Sequence, residues 1–199
     1  MGGLSFSEAR ETLPQLLSEI SHNSERIKRI VQNLKHMARQ EKDELNQTVD
    51  IQQVLEGTMM ILHNQIQKYT DVCTLAVSDD LPPVRGNSQQ LEQVFINLLS
   101  NALQALPERS RGVHIEAALN EAHEYLTVTV RDEGCGISER DIGKLTKPFF
   151  TTRGESGGTG LGLSISQSIV ERHGGSLVFV SELGNGTTVT VKIPLIAAR

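Results

Sequence analysis

Several short stretches combine residue types that could hold phosphates, a metal ion or a purine. The segment "GGTGLGL" at 157–163 sets Gly157, Gly158, Gly160 and Gly162 at the start of an amphipathic helix. Glycine costs a helix interior about 1 kcal/mol against alanine, so these glycines serve something that a side chain would block. A glycine-rich loop running into a helix presents bare N–H groups at the positive end of the helix dipole. That is an anion site, and phosphate fits it. The spacing is not G-x-G-x-x-G, because Leu163 stands at the last position, and no Gly-Lys-Ser/Thr follows to make a P-loop.

A second constellation lies on the helix expected at 88–106. Gln93, Asn97, Ser100, Asn101 and Gln104 form one stripe at helical spacing between two apolar flanks. No charged residue occurs from Gln93 to Pro107, whereas a solvated helix face carries Lys and Glu. The stripe therefore borders a half-buried polar cavity, or else its amides bond a neighbouring loop. In "YLTVTVRDEGCGI", period two puts Asp132 on the same face as Leu126, Val128 and Val130. A carboxylate there needs a partner. The exocyclic amine of a purine is one; the alternative is an Asp that caps a turn. Thr187 shares the inward face with Val189, Val191 and Ile193, where its hydroxyl could share a water and a base with Asp132. Threonine is also simply a good strand residue.

The elements that must position these residues can be read along the chain. With 199 residues, 38% hydrophobic and 22% charged, the composition suits one soluble globular domain with an extension. A net charge of −5 argues against a nucleic-acid surface. No run of 18 apolar residues is present, and Cys73 and Cys135 lack metal spacing, which suits a reducing, cytoplasmic setting. Residues 1–12 read as a tag remnant and loop. Apolar residues at 3–4 spacing predict a long amphipathic helix from Leu13 to about residue 41, so 13–47 forms one unit. Residues 48–199 form another. There, "IQQVLEGTMMILHNQIQKY" predicts one helix and "CTLAVSD" a strand. "SQQLEQVFINLLSNALQALP" predicts a helix capped by Ser88 and stopped by Pro107. "VHIEAALN" with "EYLTVTVRD" predicts a hairpin, as does "LVFVSELGNGTTVTVKIPL" with "LGNG" at the turn. Residues 134–160 read as a mobile loop, ahead of a helix at 161–173 closed by His173-Gly174-Gly175. The expected fold is an α/β (α+β) two-layer sandwich, a mixed sheet with helices on one face, preceded by the long amphipathic helix.

Taken in order, "NLLSNAL", "DEGCG", "KPFFTTR" and "GTGLGL" resemble the N, first-glycine, F and second-glycine boxes of sensor histidine kinases. Their ATP-binding domain belongs to a superfamily shared with gyrase, MutL and a heat-shock chaperone, and the resemblance covers roughly 48–195. It implies roles residue by residue. Asn101 would bind Mg²⁺ through its side-chain oxygen, and Asn97 would hold the phosphates or support the metal. Asp132 would accept from the adenine amine, with Thr187 nearby. Gly134 and Gly136 would make room for the base, and Phe149 and Phe150 would pack the lid. Gly158, Gly160 and Gly162 would let the lid and helix start wrap the phosphates, with Thr159, Leu161 and Leu163 completing that segment. Arg153 would be a lid cation at the terminal phosphate. In hydrolytic branches a glutamate that activates water sits one turn before the metal-binding Asn. Asn97 stands at that position here. An amide is a poor base, which favours holding ATP for transfer over hydrolysis.

The resemblance has two departures. Gln104 and Ala105 replace the basic and aromatic residues that many kinases carry after the N box; "NALQAL" resembles the nitrogen-regulation subgroup and shifts weight to Arg153. The family's phosphoacceptor lies in an H-E/D-x-x-x-P context on a preceding helix, and no histidine here has it. His123-Glu124 lacks the proline, His22 and His36 read as surface positions, and His173 sits near a helix end where a cation is favoured. The acceptor is therefore expected upstream, in a longer kinase whose other parts can be anchored in the inner membrane. The implied reaction moves the γ-phosphoryl of Mg–ATP to that histidine and then to the aspartate of a response-regulator receiver domain. The 13–47 helix would build a homodimer, with no nucleic-acid or membrane contact by this chain. The alternatives are a hydrolytic ATPase of the superfamily and a non-catalytic nucleotide-binding module.

Overall fold

The computed structural model describes residues 17, 24, 45, 47–152 and 159–195. Leu17 and Ser24 are helical and exposed. The remainder of the long helix expected from Leu13, with Ile20, Ile27, Val31 and Leu34, lies outside the described residues. So do His22, His36, Arg153, Gly157 and Gly158.

The core is organised by α3 (Ser88–Ala105), whose Leu91, Val94, Phe95, Leu98, Leu99, Ala102 and Leu103 are all buried. This is the three-and-four spacing of a helix packed along one side, and it leaves the amide stripe on the other. Beneath it runs a five-stranded sheet, ordered β2 (Cys73–Val77), β4 (Val113–Leu119), β5 (Tyr125–Asp132), β7 (Thr187–Pro194) and β6 (Ser176–Ser181). The β2–β4 pair is parallel and the other pairs are antiparallel, so the sheet is mixed. Helices α1 (Ile51–Ile61) and α5 (Gly162–Arg172) pack beside α3 and complete the helical layer. The apolar rows of the strands close one continuous core with these helices. Among the described residues no helix is long and apolar enough to cross a membrane.

Three local expectations are corrected. The helix expected from "IQQVLEGTMMILHNQIQKY" breaks at Leu62 into α1 and α2 (His63–Tyr69). The break turns Leu62 into the core while Met60 and Ile61 stay exposed. Asn87, not Ser88, caps α3: its backbone is extended and its side chain accepts from Gln90 N–H at 3.0 Å. The stretch 134–160 is not wholly loop. It holds the short α4 (Glu139–Ile142) and a buried Leu145, with Asp141 accepting from Ser138 Oγ and paired to Lys144. Within "LPPVRGN", β3 (Val84–Gly86) pairs with β1 (Gln47–Val49) in a separate two-stranded sheet. That pairing ties Gln47–Val49 to the strand that leads directly into α3.

Candidate functional site

Asp132 ends β5 on its buried face, 5% exposed, opposite Thr187 on β7, which is 7% exposed. The inward placement that the alternation predicts is therefore observed. Asp132 Oδ1 accepts from Gly134 N–H at 2.8 Å and from Thr187 N–H at 3.2 Å. These bonds hold the carboxylate in one orientation. Thr187 Oγ1 lies 2.9 Å from Ser181 Oγ, which accepts from Ile137 N–H at 2.8 Å and donates to Gly186 O at 2.9 Å. Ser181 thus ties the Asp132 loop to the β6–β7 turn, a part that the sequence reading missed. The period-two row Leu177, Phe179, Ser181 carried the signal.

The glycines of this loop have nearer reasons than room for a base. A Cβ on Gly134 would lie 2.6 Å from Asp132 Oδ1 and 2.7 Å from the Ala105 carbonyl oxygen. Gly136 has φ +67, and its Cβ would run into the Glu182 carbonyl. Cys135 N–H donates to Ala105 O at 3.0 Å, and Gly184 N–H donates to Cys135 O at 2.8 Å. The loop is wedged between the end of α3 and the β6–β7 turn, with no space for side chains at the two glycines. Gly136→Ala is expected to cost about 2–4 kcal/mol, from the left-handed backbone together with the overpacking. The shift of the urea midpoint measures it, and a shift under a quarter of that size would mean that the loop is loosely held.

The other end of the site is built on the middle of α3. Asn97 Nδ2 donates to Ser166 Oγ on α5 at 2.9 Å. Its Oδ1 would be struck by any Cβ on Gly162, the first residue of α5. Asn97 is therefore the seat on which the glycine-opened start of α5 rests. Asn101, one turn on, is half-buried. Gly160 has φ +66 and packs on the backbone of Phe149, which itself has φ +66. Phe149 is 68% exposed, and the contact with Gly160 is made by its backbone. Phe150 is half-buried, with Lys144 Nζ 5.8 Å from its ring centre. Leu161 is buried in the core and Leu163 packs against it, so both side chains face the protein. Thr159 Oγ1 accepts from Leu161 N–H at 3.4 Å.

Electrostatics add two facts. Glu133 accepts from Gly112 N–H at 2.8 Å, and that bond first, with His114, Arg111 and Arg131 adding to it, holds its carboxyl below the usual range. Burial pushes the Cys73 thiol up to about 11, which leaves it protonated and without nucleophilic character near neutrality.

Along α3, then, Asn97 meets the start of α5 and Ala105 meets the Asp132 loop, eight residues or about 12 Å apart. A buried carboxylate thus lies at one end of this stretch of α3, half-buried Asn101 between, and the start of α5 at the other, on an α/β sandwich. The chain belongs to the family described as histidine kinase-, DNA gyrase B- and HSP90-like ATPases, which matches residues 86–197. It is 30% identical over 185 residues to the sensor histidine kinase ZraS of Escherichia coli, covering 93% of this chain and 38% of that protein. It is 34% identical over 145 residues to sporulation kinase E of Bacillus subtilis, covering 73% of this chain and 19% of that protein. The catalytic domain of histidine kinase ThkA superposes with a TM-score of 0.64 at 27% identity, covering 74% of this chain and 96% of that one. The chain thus spans well under half the length of the curated kinases it matches. Membership of an ATPase family makes ATP the ligand that the site implies.

Proposed function

We propose that this chain is the ATP-binding catalytic part of a two-component sensor histidine kinase. The observation that carries the reading is the bracketing of α3 by the Asp132 loop and the start of α5. In this reading residues 48–199 are the catalytic unit and 13–47 the dimerisation helix. Asp132 accepts from the adenine amine, and its orientation is set by the two backbone N–H groups on Oδ1. The N–H groups that open α5 meet the phosphates, and Arg153 serves the terminal one. The donor set fits magnesium, a hard cation that takes oxygen ligands, with Asn101 supplying one beside the phosphates. When bound, the ion neutralises phosphate charge.

The transferred phosphoryl leaves the β–γ bridging oxygen and forms a bond to an imidazole nitrogen of a histidine outside this chain, with ADP as the leaving group. A response-regulator aspartate then receives it. A second copy pairs through Ile20, Ile27, Val31 and Leu34. Transfer is favoured over hydrolysis because Asn97 is an amide already bonded to Ser166, and an amide does not activate water.

The test mixes the chain with γ-labelled ATP, magnesium and an acceptor-helix domain carrying the histidine motif. Acid-labile, base-stable label is expected on the acceptor and none on this chain. Phosphate released to water faster than label appears on the acceptor would mean a hydrolytic ATPase. Nucleotide binding with neither outcome would leave a binding module.

A further inference from the structure

The two helices that frame the site are joined a second time, far from it. α3 starts at its cap Asn87, and α5 ends at its cap His173, which is buried. Asn87 N–H donates to His173 Nε2 at 3.1 Å. A backbone N–H only donates, so Nε2 carries a lone pair and no proton. His173 Nδ1 lies 2.7 Å from Ile169 O. A carbonyl only accepts, so Nδ1 carries the proton. The two bonds select one neutral tautomer and use both ring nitrogens. β3 is shaped around the ring: a Cβ on Gly86 would lie 2.5 Å from Cδ2 and 2.7 Å from Nε2. His173 is thus not the helix-end cation that its position in the sequence suggests.

We propose that His173 is a positioning residue for nucleotide binding, a neutral imidazole that fixes the axial register of α5 against α3. The inference rests on the nucleotide reading above. Asn97–Ser166 is one polar attachment between the helices, and Asn87–His173 is a second, ten residues or about 15 Å back along α3. Two attachments fix a register, whereas one leaves a pivot. With both in place, the amides of α3 and the open first turn of α5 face one phosphate chain. A proton on Nε2 would set a donor against the Asn87 N–H and remove the second attachment.

The surroundings oppose that proton. Burial lowers the imidazole pKa first, the Ile169 carbonyl works against the lowering, and the charge of Arg172 adds to it. On the elements packed around the ring, α3 has no acid in its first turn, β3 carries Arg85 before Gly86, and β7 carries Lys192, whose carbonyl abuts Gly175. Glu171, on the same helix, accepts from Gln167. With a folded-state pKa below the ordinary imidazole value, the attachment is complete above that ordinary value. It is lost as the pH falls through the lowered one.

Calorimetric titration with ATP from pH 8 to pH 5 tests this on the wild type, His173→Gln and His173→Phe. Affinities are compared as ratios at each pH, which cancels the titration of the nucleotide itself. Gln can return an acceptor near the Nε2 position but cannot titrate, and Phe keeps the bulk of the ring with neither bond. At pH 8 the Phe variant, folded by circular dichroism, is expected to bind about tenfold more weakly, and Gln to recover much of that loss. As the pH falls, the wild type is expected to lose affinity toward the Phe variant while the Gln variant does not follow. A folded Phe variant that binds like the wild type at pH 8 overturns the proposal. So do parallel wild-type and Gln profiles, which decide the matter alone if the Phe variant does not fold. A wild type that binds no ATP at pH 8 removes the nucleotide reading itself. A wild type that binds, with flat ratios, removes only the role of His173.

Discussion

Asp132→Asn is expected to weaken ATP binding about a hundredfold and leave the fold in place, on the scale of losing a charged hydrogen bond and gaining an unmatched donor. Oδ1 is committed to two backbone N–H donors, from Gly134 and Thr187. In the variant the amide oxygen must take that position, because an NH₂ there would face two donors. The NH₂ then occupies the other position and meets the adenine amine, donor against donor. The backbone bonds that seat the loop survive the exchange, so the thermal midpoint is expected to move by only a few degrees. Unchanged calorimetric affinity would take Asp132 out of the site. A lost fold would make its role structural.

The second large effect is expected at Asn101. Asn101→Ala should remove most of the gain in nucleotide affinity that magnesium confers, about a hundredfold, as loss of a metal-supporting group does. Ser100→Ala is the matched control. Ser100 lies on the same helix one residue earlier, but its hydroxyl donates to Gln65 on α2 at 2.9 Å. Its loss should cost stability by about 0.5–1 kcal/mol and leave affinity unchanged. Titrations with and without magnesium separate the two. Equal effects from both substitutions would mean that the amide stripe only holds helices together.

What the sequence made legible was whatever depends on period. The spacing of Leu91 to Leu103 marks α3, and alternation through Leu126, Val128 and Val130 carries Asp132 inward as observed. What it hid depends on contacts between distant segments. Asn87 and Ser88 are both good caps, and only the extended backbone at Asn87 decides between them. The break at Leu62 buries that side chain and leaves Met60 and Ile61 exposed, which the spacing along the segment alone does not reveal. Gly134, Gly136, Gly160 and Gly162 look like a ligand cradle in one dimension. In three, each is first a place where another part of the chain comes too close for a Cβ: Asp132 and Ala105, Glu182, Phe149 and Asn97 respectively. The pairing of Asn87 with His173 spans 86 residues and leaves no local signature.

In the proposed site, one side of α3 reads adenine at the Asp132 end and phosphate at the start of α5. Calorimetric titration of the chain with ATP and with GTP, each with and without magnesium, tests it most directly. Guanine carries a carbonyl where adenine carries its amine, and that oxygen would face the Asp132 carboxylate. One ATP is expected to bind per chain, more weakly without magnesium, and GTP to bind more weakly than ATP by about a hundredfold. Equal affinity for the two nucleotides, or no binding of either, would contradict it.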